Sequence, residues 1–233
     1  MKSTLFAKLA LACWTFTQSA FADPFEEAAL KELRTSSRFT VPAGHEPFVQ
    51  SADYPPEMPP AEDYPWLKVD FRSDPTAYMR AVLAYVTEGN VEVDWKVQDN
   101  AVRKWYHAPW MHFAANGREP IHGLTSERTS RPLELHEAQK KSARNWAVGF
   151  YNAPGGYTIG QVWKSPTQPN AQAARFPVGT VSAKLLFTEA DETLVPYLKG
   201  SKEWWAAIDR DGKPPTRMRL LQLDVAIRDE RAN

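Results

Sequence analysis

The sequence predicts an α+β domain: an antiparallel β-sheet with a few packed helices, preceded by a Pro-rich N-terminal arm. Three observations carry this. Residues 145–152, 181–188 and 217–228 have the apolar patterning of strands. Asp74-Pro75 opens a run with Tyr78, Val82, Tyr85 and Val86 at helical spacing. Seven prolines between Pro42 and Pro65 rule out regular helix or central strand there.

The chain begins with a basic start at Lys2 and Lys8. An uncharged, mostly apolar run from Leu9 to Phe21 follows, and Ala20-Phe21-Ala22 is a small-x-small site before Asp23-Pro24. This is the three-part pattern of a secretory signal. Polar Thr15, Thr17, Gln18 and Ser19 leave the run short of the roughly 20 apolar residues of a spanning helix. Residues 1–22 are therefore expected to be cleaved, leaving a periplasmic or secreted chain with no integral membrane segment. Reading Cys13 as a lipidation site would leave a very short apolar region. Cys13 is the sole cysteine and leaves with the signal. The remaining chain is left without a disulfide, a thiolate nucleophile or Cys-bound zinc.

Asp23, Pro24 and the following Phe25 to Leu33 predict a short capped helix. Residues 23–66 thus comprise that helix and the Pro-rich segment, either a linker or an arm held by Phe48, Tyr54, Tyr64 and Trp66. Residues 67–233 form the α+β domain. Its first helix stops at Gly89, and from Val91 the pattern turns to β. Trp146, Val148 and Phe150 are expected on one strand face. Ala153-Pro154-Gly155-Gly156 reads as a turn, with Tyr157 to Trp163 as the returning strand. Val181 to Thr188 is a strand, and Ser201 to Ile208 a short helix capped by Ser201 with Trp204, Trp205 and Ile208 inward. Arg217 to Arg228 is a long strand, with Leu221, Leu223, Val225 and Ile227 on one face and Leu220, Gln222 and Asp224 on the other. A strand of that length at the end of a chain would normally have a successor to cover its edge. The domain is therefore expected to be truncated at its C-terminus, unless this strand lies between earlier ones.

The whole chain carries 28 basic and 28 acidic side chains, so nothing draws it to nucleic acid. Nine Trp and nineteen Pro point to a loop-rich fold with large aromatic packing units. Walker, dinucleotide-binding and Gly-x-Ser-x-Gly signatures are absent.

The richest segment for chemistry is Trp105 to His136, with four of the five histidines: His107, His112, His122 and His136. Charged and aromatic residues alternate with turn formers, as in a binding loop on a rigid scaffold. Metal ligation by His107, His112 and His122, backbone hydrogen bonding, and acid–base or ligand contact all remain open, because the spacing matches no compact ligand motif. Arg118, Glu119, Glu127 and Arg128 suit ion pairs or anion recognition. Trp105 and Trp110 are candidate stacking surfaces, whereas Trp146 and Trp163 fall in strand patterns and are expected in the core.

Two runs stand out: Trp105-Tyr106-His107-Ala108-Pro109-Trp110-Met111 and Gly117-Arg118-Glu119-Pro120-Ile121-His122-Gly123-Leu124-Thr125. With 146–152, 184–188 and 221–226, they resemble a family of exported, cytochrome-like bacterial proteins. Phe176-Pro177-Val178-Gly179-Thr180 leading into a strand is similar to cytochrome P460-type β-sheet domains. The resemblance spans about residues 65–229 and implies haem or redox chemistry. It also implies a downstream Cys-x-x-Cys-His segment or a redox partner. Without cysteine this chain cannot hold haem covalently, so His107, Met111, His112 and His122 could at most shape a pocket or supply an axial ligand. Two other classes stand beside this one. One is a non-redox module binding a small molecule or glycan through Trp105, Trp110, Arg118 and Arg128. The other is a His-dependent metalloenzyme.

Overall fold

The computed structural model describes residues 40–109, 117–165, 168–209 and 213–232. The signal sequence expected at 1–22 and the helix expected from Phe25 to Leu33 lie outside them. Six antiparallel strands curl into half a barrel. They are β1 (Tyr106–His107), β2 (Thr125–Ser130), β3 (Ala143–Tyr151), β4 (Val181–Thr188), β5 (Glu203–Ala206) and β6 (Thr216–Ile227). The order is β1-β3-β4-β6-β5, with β2 on the same side of β3 as β1. Two α-helices, α1 (Pro75–Thr87) and α2 (Ala153–Val162), complete the α+β architecture. No helix among the described residues is long and apolar enough to cross a membrane.

α1 forms where its spacing places it. The Asp74 carboxylate accepts the Ala77 amide at 2.8 Å and Pro75 occupies the first turn. Tyr78, Val82, Tyr85 and Val86 are buried, while Met79 and Leu83 are exposed. The buried stripe meets Trp66, Trp105, Phe150 and the inward residues of β4, Val181, Ala183, Leu185 and Phe187. Aromatic rings dominate this core. Tyr64 stacks on Trp66 at 5.0 Å, Trp66 meets Tyr85 edge-on at 4.8 Å, and Trp105 meets Phe150 edge-on at 5.3 Å. The segment after α1 is not strand. Residues 91–95 form turns and Val97–Asp99 a 3-10 helix, and β-structure begins only at Tyr106.

Two elements differ in type from the sequence expectation. The stretch expected to be a turn and returning strand is α2. Pro154 lies in its first turn, and the glycines are contact points rather than turn residues. A Cβ on Gly156 would lie 2.4 Å from the Tyr106 ring, and one on Gly160 2.5 Å from Tyr54 Cβ. The helix accepts the roughly 1 kcal/mol that each interior glycine costs relative to alanine, in exchange for close packing. The expected helix from Ser201 to Ile208 is instead β5, paired with β6 from Glu203↔Arg219 to Ala206↔Thr216. Within β5, Trp204 and Ala206 are buried, whereas Trp205 points out and is 56% exposed. That is period two, set by pairing with β6.

β6 also departs in detail. Leu186 lies opposite Gln222 and Phe187 opposite Leu220, so Leu221 is an extra residue in a bulge. Leu220 therefore faces the main core with Leu223, Val225 and Ile227. Leu221 turns to a second cluster with Ala143, Ala190, Val195 and Leu198. Strict alternation alone would put Leu220 and Leu221 on the reverse faces. β6 lies between β4 and β5, but β5 covers only Thr216–Arg219.

The turn before β4 is closed by the Thr180 amide donating to Pro177 O at 3.1 Å, with Gly179 at φ 88°. That φ suits glycine, and a Cβ there would lie 2.0 Å from the buried Tyr64 ring. Gly179→Ala is expected to cost about 2 kcal/mol from strain and overpacking. Denaturant unfolding measures it, and an unchanged midpoint would contradict this account of the turn.

Candidate functional site

A cleft of about 650 Å³ opens between residues 44–49, the 94–99 turn, Ile121-His122 and β5. β5 brings Trp204 and Trp205 to it. Trp204 is the middle ring of a stack, 4.2 Å from Phe187 beneath and 4.3 Å from His122 above, at interplanar angles of 15° and 3°. Its indole N–H donates to Asp94 Oδ2 at 3.2 Å, and Lys202 pairs with the same carboxylate. Asp94 and Trp95 both have left-handed backbone, φ 56° and 61°, a strained conformation for residues other than glycine. The strain sits where the turn carries Asp94 under the indole.

His122 is held from two sides. Its ring Nε2 lies 3.3 Å from Trp205 O. A carbonyl only accepts, so Nε2 carries the proton and donates. Burial pushes this imidazole down to about 4, with the Trp205 carbonyl and Asp94 acting against that, so it is neutral near pH 7. Its backbone amide donates to Glu119 Oε2 at 2.6 Å.

Glu119 is 1% exposed. Its carboxylate also accepts the Ile121 amide at 3.1 Å and the Ala207 amide at 2.9 Å. Burial raises its pKa and the amides work against that rise. The side chain thus ties the 119–124 loop to the end of β5. It is a brace, not a ligand-facing charge.

His107 is buried behind the cleft. Its Nδ1 accepts the Ser51 amide at 2.9 Å and its amide donates to Ser51 O at 2.9 Å. Tyr54 OH donates to His107 O at 2.7 Å. Phe48 lies edge-on to the ring at 4.9 Å and also lines the cleft. Burial first, then the Arg118 charge, push His107 down to about 3. Arg118 donates to Gly123 O, Ala108 O and Pro109 O at 2.7, 3.0 and 3.2 Å. Those bonds fix the loop on which His122 sits.

The sequence-derived candidates therefore separate. His122 faces the cleft, while His107 and Arg118 support it. Trp105 is fully buried core, not a stacking wall. Arg128 is exposed on β2 and paired with Glu134, away from the cleft lining. His136 accepts its neighbour Ala138's amide. Trp110, Met111 and His112 lie outside the described residues. Among the described residues, no three His, Cys, Asp or Glu side chains gather as a metal-binding group.

Several cleft residues were not singled out from sequence: His45, Asp94, Lys96, Gln98 and the outward face of Trp205. The Trp204-Trp205 pair held a usable signal, since adjacent rings in a strand must point to opposite faces. Gln98 adds another feature: its side-chain oxygen is buried and has no hydrogen-bond partner. Comparison with models of known families, with curated proteins and with solved structures finds no match to this chain.

Proposed function

We propose that this is an exported binding module for a neutral, polyhydroxylated small molecule of the sugar class. The observation that carries the reading is the exposed Trp205 indole on a cleft that also presents Asp94, Lys96 and Gln98. A sugar offers an apolar C–H face to an aromatic ring and hydroxyls to carboxylate, ammonium and amide groups. The Pro-rich stretch serves as an arm, its residues 44–49 forming one wall of the cleft. Phe48 anchors that wall through its amide bond to Pro120 O at 2.7 Å. The cleft is open and offers a weak-to-moderate site.

Titration calorimetry against a panel of neutral mono- and oligosaccharides tests this. At least one should bind, and Trp205→Ala should weaken it about tenfold, the worth of one aromatic contact, with thermal stability unchanged. No heat from any sugar at millimolar concentration would sink the reading. If haem added to the purified protein instead gives a Soret band that His122→Ala removes, the haem-linked class implied by the sequence resemblance replaces it.

A further inference from the structure

We propose that the free edge of β6 is a self-association surface, paired antiparallel with β6 of a second copy. The Arg228 amide donates to Thr180 O at 2.9 Å, toward β4. Strand alternation then sends the amides of Ala226, Asp224 and Gln222 toward β4 as well, and those of Leu223, Val225 and Ile227 away from it. On that outer side β5 covers only Thr216–Arg219, extended by the Leu220 amide donating to Lys202 O at 2.8 Å. Beyond it, no described strand pairs with Gln222–Ile227 on this side. Leu223, Val225 and Ile227 pack on the main core yet stay only partly buried.

Proteins guard such edges with lysine, proline or bulges. Gln222 to Ile227 contains neither lysine nor proline, its one charge, Asp224, is paired with Lys184 of its own β4, and the bulge lies before it, at Leu221. The charges argue for a second copy as occupant. With the two-fold axis at Ala226, Asp224 of each copy, whose carboxylate also pairs with Lys184 of its own β4 at 3.3 Å, lies opposite Arg228 of the other. Val225 lies opposite Ile227 on the core face, and both of those residues have outward amides to exchange. Moving the axis to Val225 sets Arg228 against Gln222 and leaves Asp224 against Ala226. Moving it to Asp224 sets two like carboxylates face to face, which is unfavourable. The sequence of the edge is thus complementary to itself in one register. The interface is isologous and closes at two copies.

Sedimentation velocity of the purified full chain across a concentration series tests it. The expected result is a concentration-dependent dimer. Asp224→Arg and Arg228→Asp should each weaken association at least about tenfold, and the double exchange should restore it. Val225→Pro removes an outward amide and should give monomer with an unchanged circular dichroism spectrum. A monomer at every concentration up to the millimolar range overturns the proposal. So does a dimer indifferent to the single charge reversals, or one that the double exchange fails to restore.

Discussion

Replacing Trp204 with alanine is expected to destabilise the protein by about 3–5 kcal/mol, the range for deleting a fully buried large aromatic. Trp204 is 4% exposed. Its removal takes away contacts with Phe187 and His122 on both faces and leaves the strained Asp94 without its indole donor. The neighbouring Trp205 supplies an internal control. It is 56% exposed, so Trp205→Ala should change stability by less than about 0.5 kcal/mol. Urea unfolding of the two variants side by side makes the comparison. Equal losses would show that the alternation of β5 is misassigned, because residue type is the same and only burial differs.

The second large effect is acid lability between pH 7 and pH 4. His107 falls from an unfolded value of about 6.5 to about 3 in the folded protein, and His122 to about 4. Above pH 6.5 both states are neutral and the histidines leave stability unchanged with pH. Below it the unfolded chain takes up protons that the folded chain refuses, so stability falls as pH drops toward the folded values. For His107, only 2% exposed, the loss is about 3 kcal/mol by pH 4. His122, nearer solvent, adds less. Glu119 works in the opposite direction. Its carboxyl holds a proton more readily folded than unfolded, so falling pH favours the folded state through that group. Asp229 is held below the usual carboxylate range by Arg231, and its contribution is lost only below about pH 4. His107→Asn keeps an acceptor for the Ser51 amide and removes the titration. Stability measured at pH 7, 5.5 and 4 should fall steeply in the parent and more gently in the variant. Parallel curves would rule out His107 as the source.

Periodicity was informative where an element buries one regular stripe. α1, β3, β4 and most of β6 were legible because Tyr78, Val82, Tyr85 and Val86, or Trp146, Val148 and Phe150, repeat at the period of the element that buries them. It failed where a partner elsewhere in the chain decides conformation. The glycines of α2 read as turn formers because glycine supports both turns and close approach. Only Tyr106 and Tyr54, pressed against Gly156 and Gly160, distinguish the two. The four residues of β5 carry too little local preference to resist pairing with β6.

The candidate site divides in the same way. The cluster around Gly117–Thr125 was legible as functional in type, dense in charge, ring and turn residues. Its division of labour was not. Glu119 and Arg118 proved to be braces because the backbone amides and carbonyls they satisfy come from chain-distant Ala207 and from Ala108, Pro109 and Gly123. The cleft joins residues 44–49, 94–99, 121–122 and 203–205, and no sequence spacing records that meeting.

The α+β class, the main helix and the long strands are legible in the chain, because local periodicity and capping are written in consecutive residues. Long-range contacts settle which tryptophan faces solvent, how His122 meets the cleft and which part of β6 has no partner among the described strands. Those follow from the curl of the sheet and from long-range pairing, which bring together residues far apart in the chain.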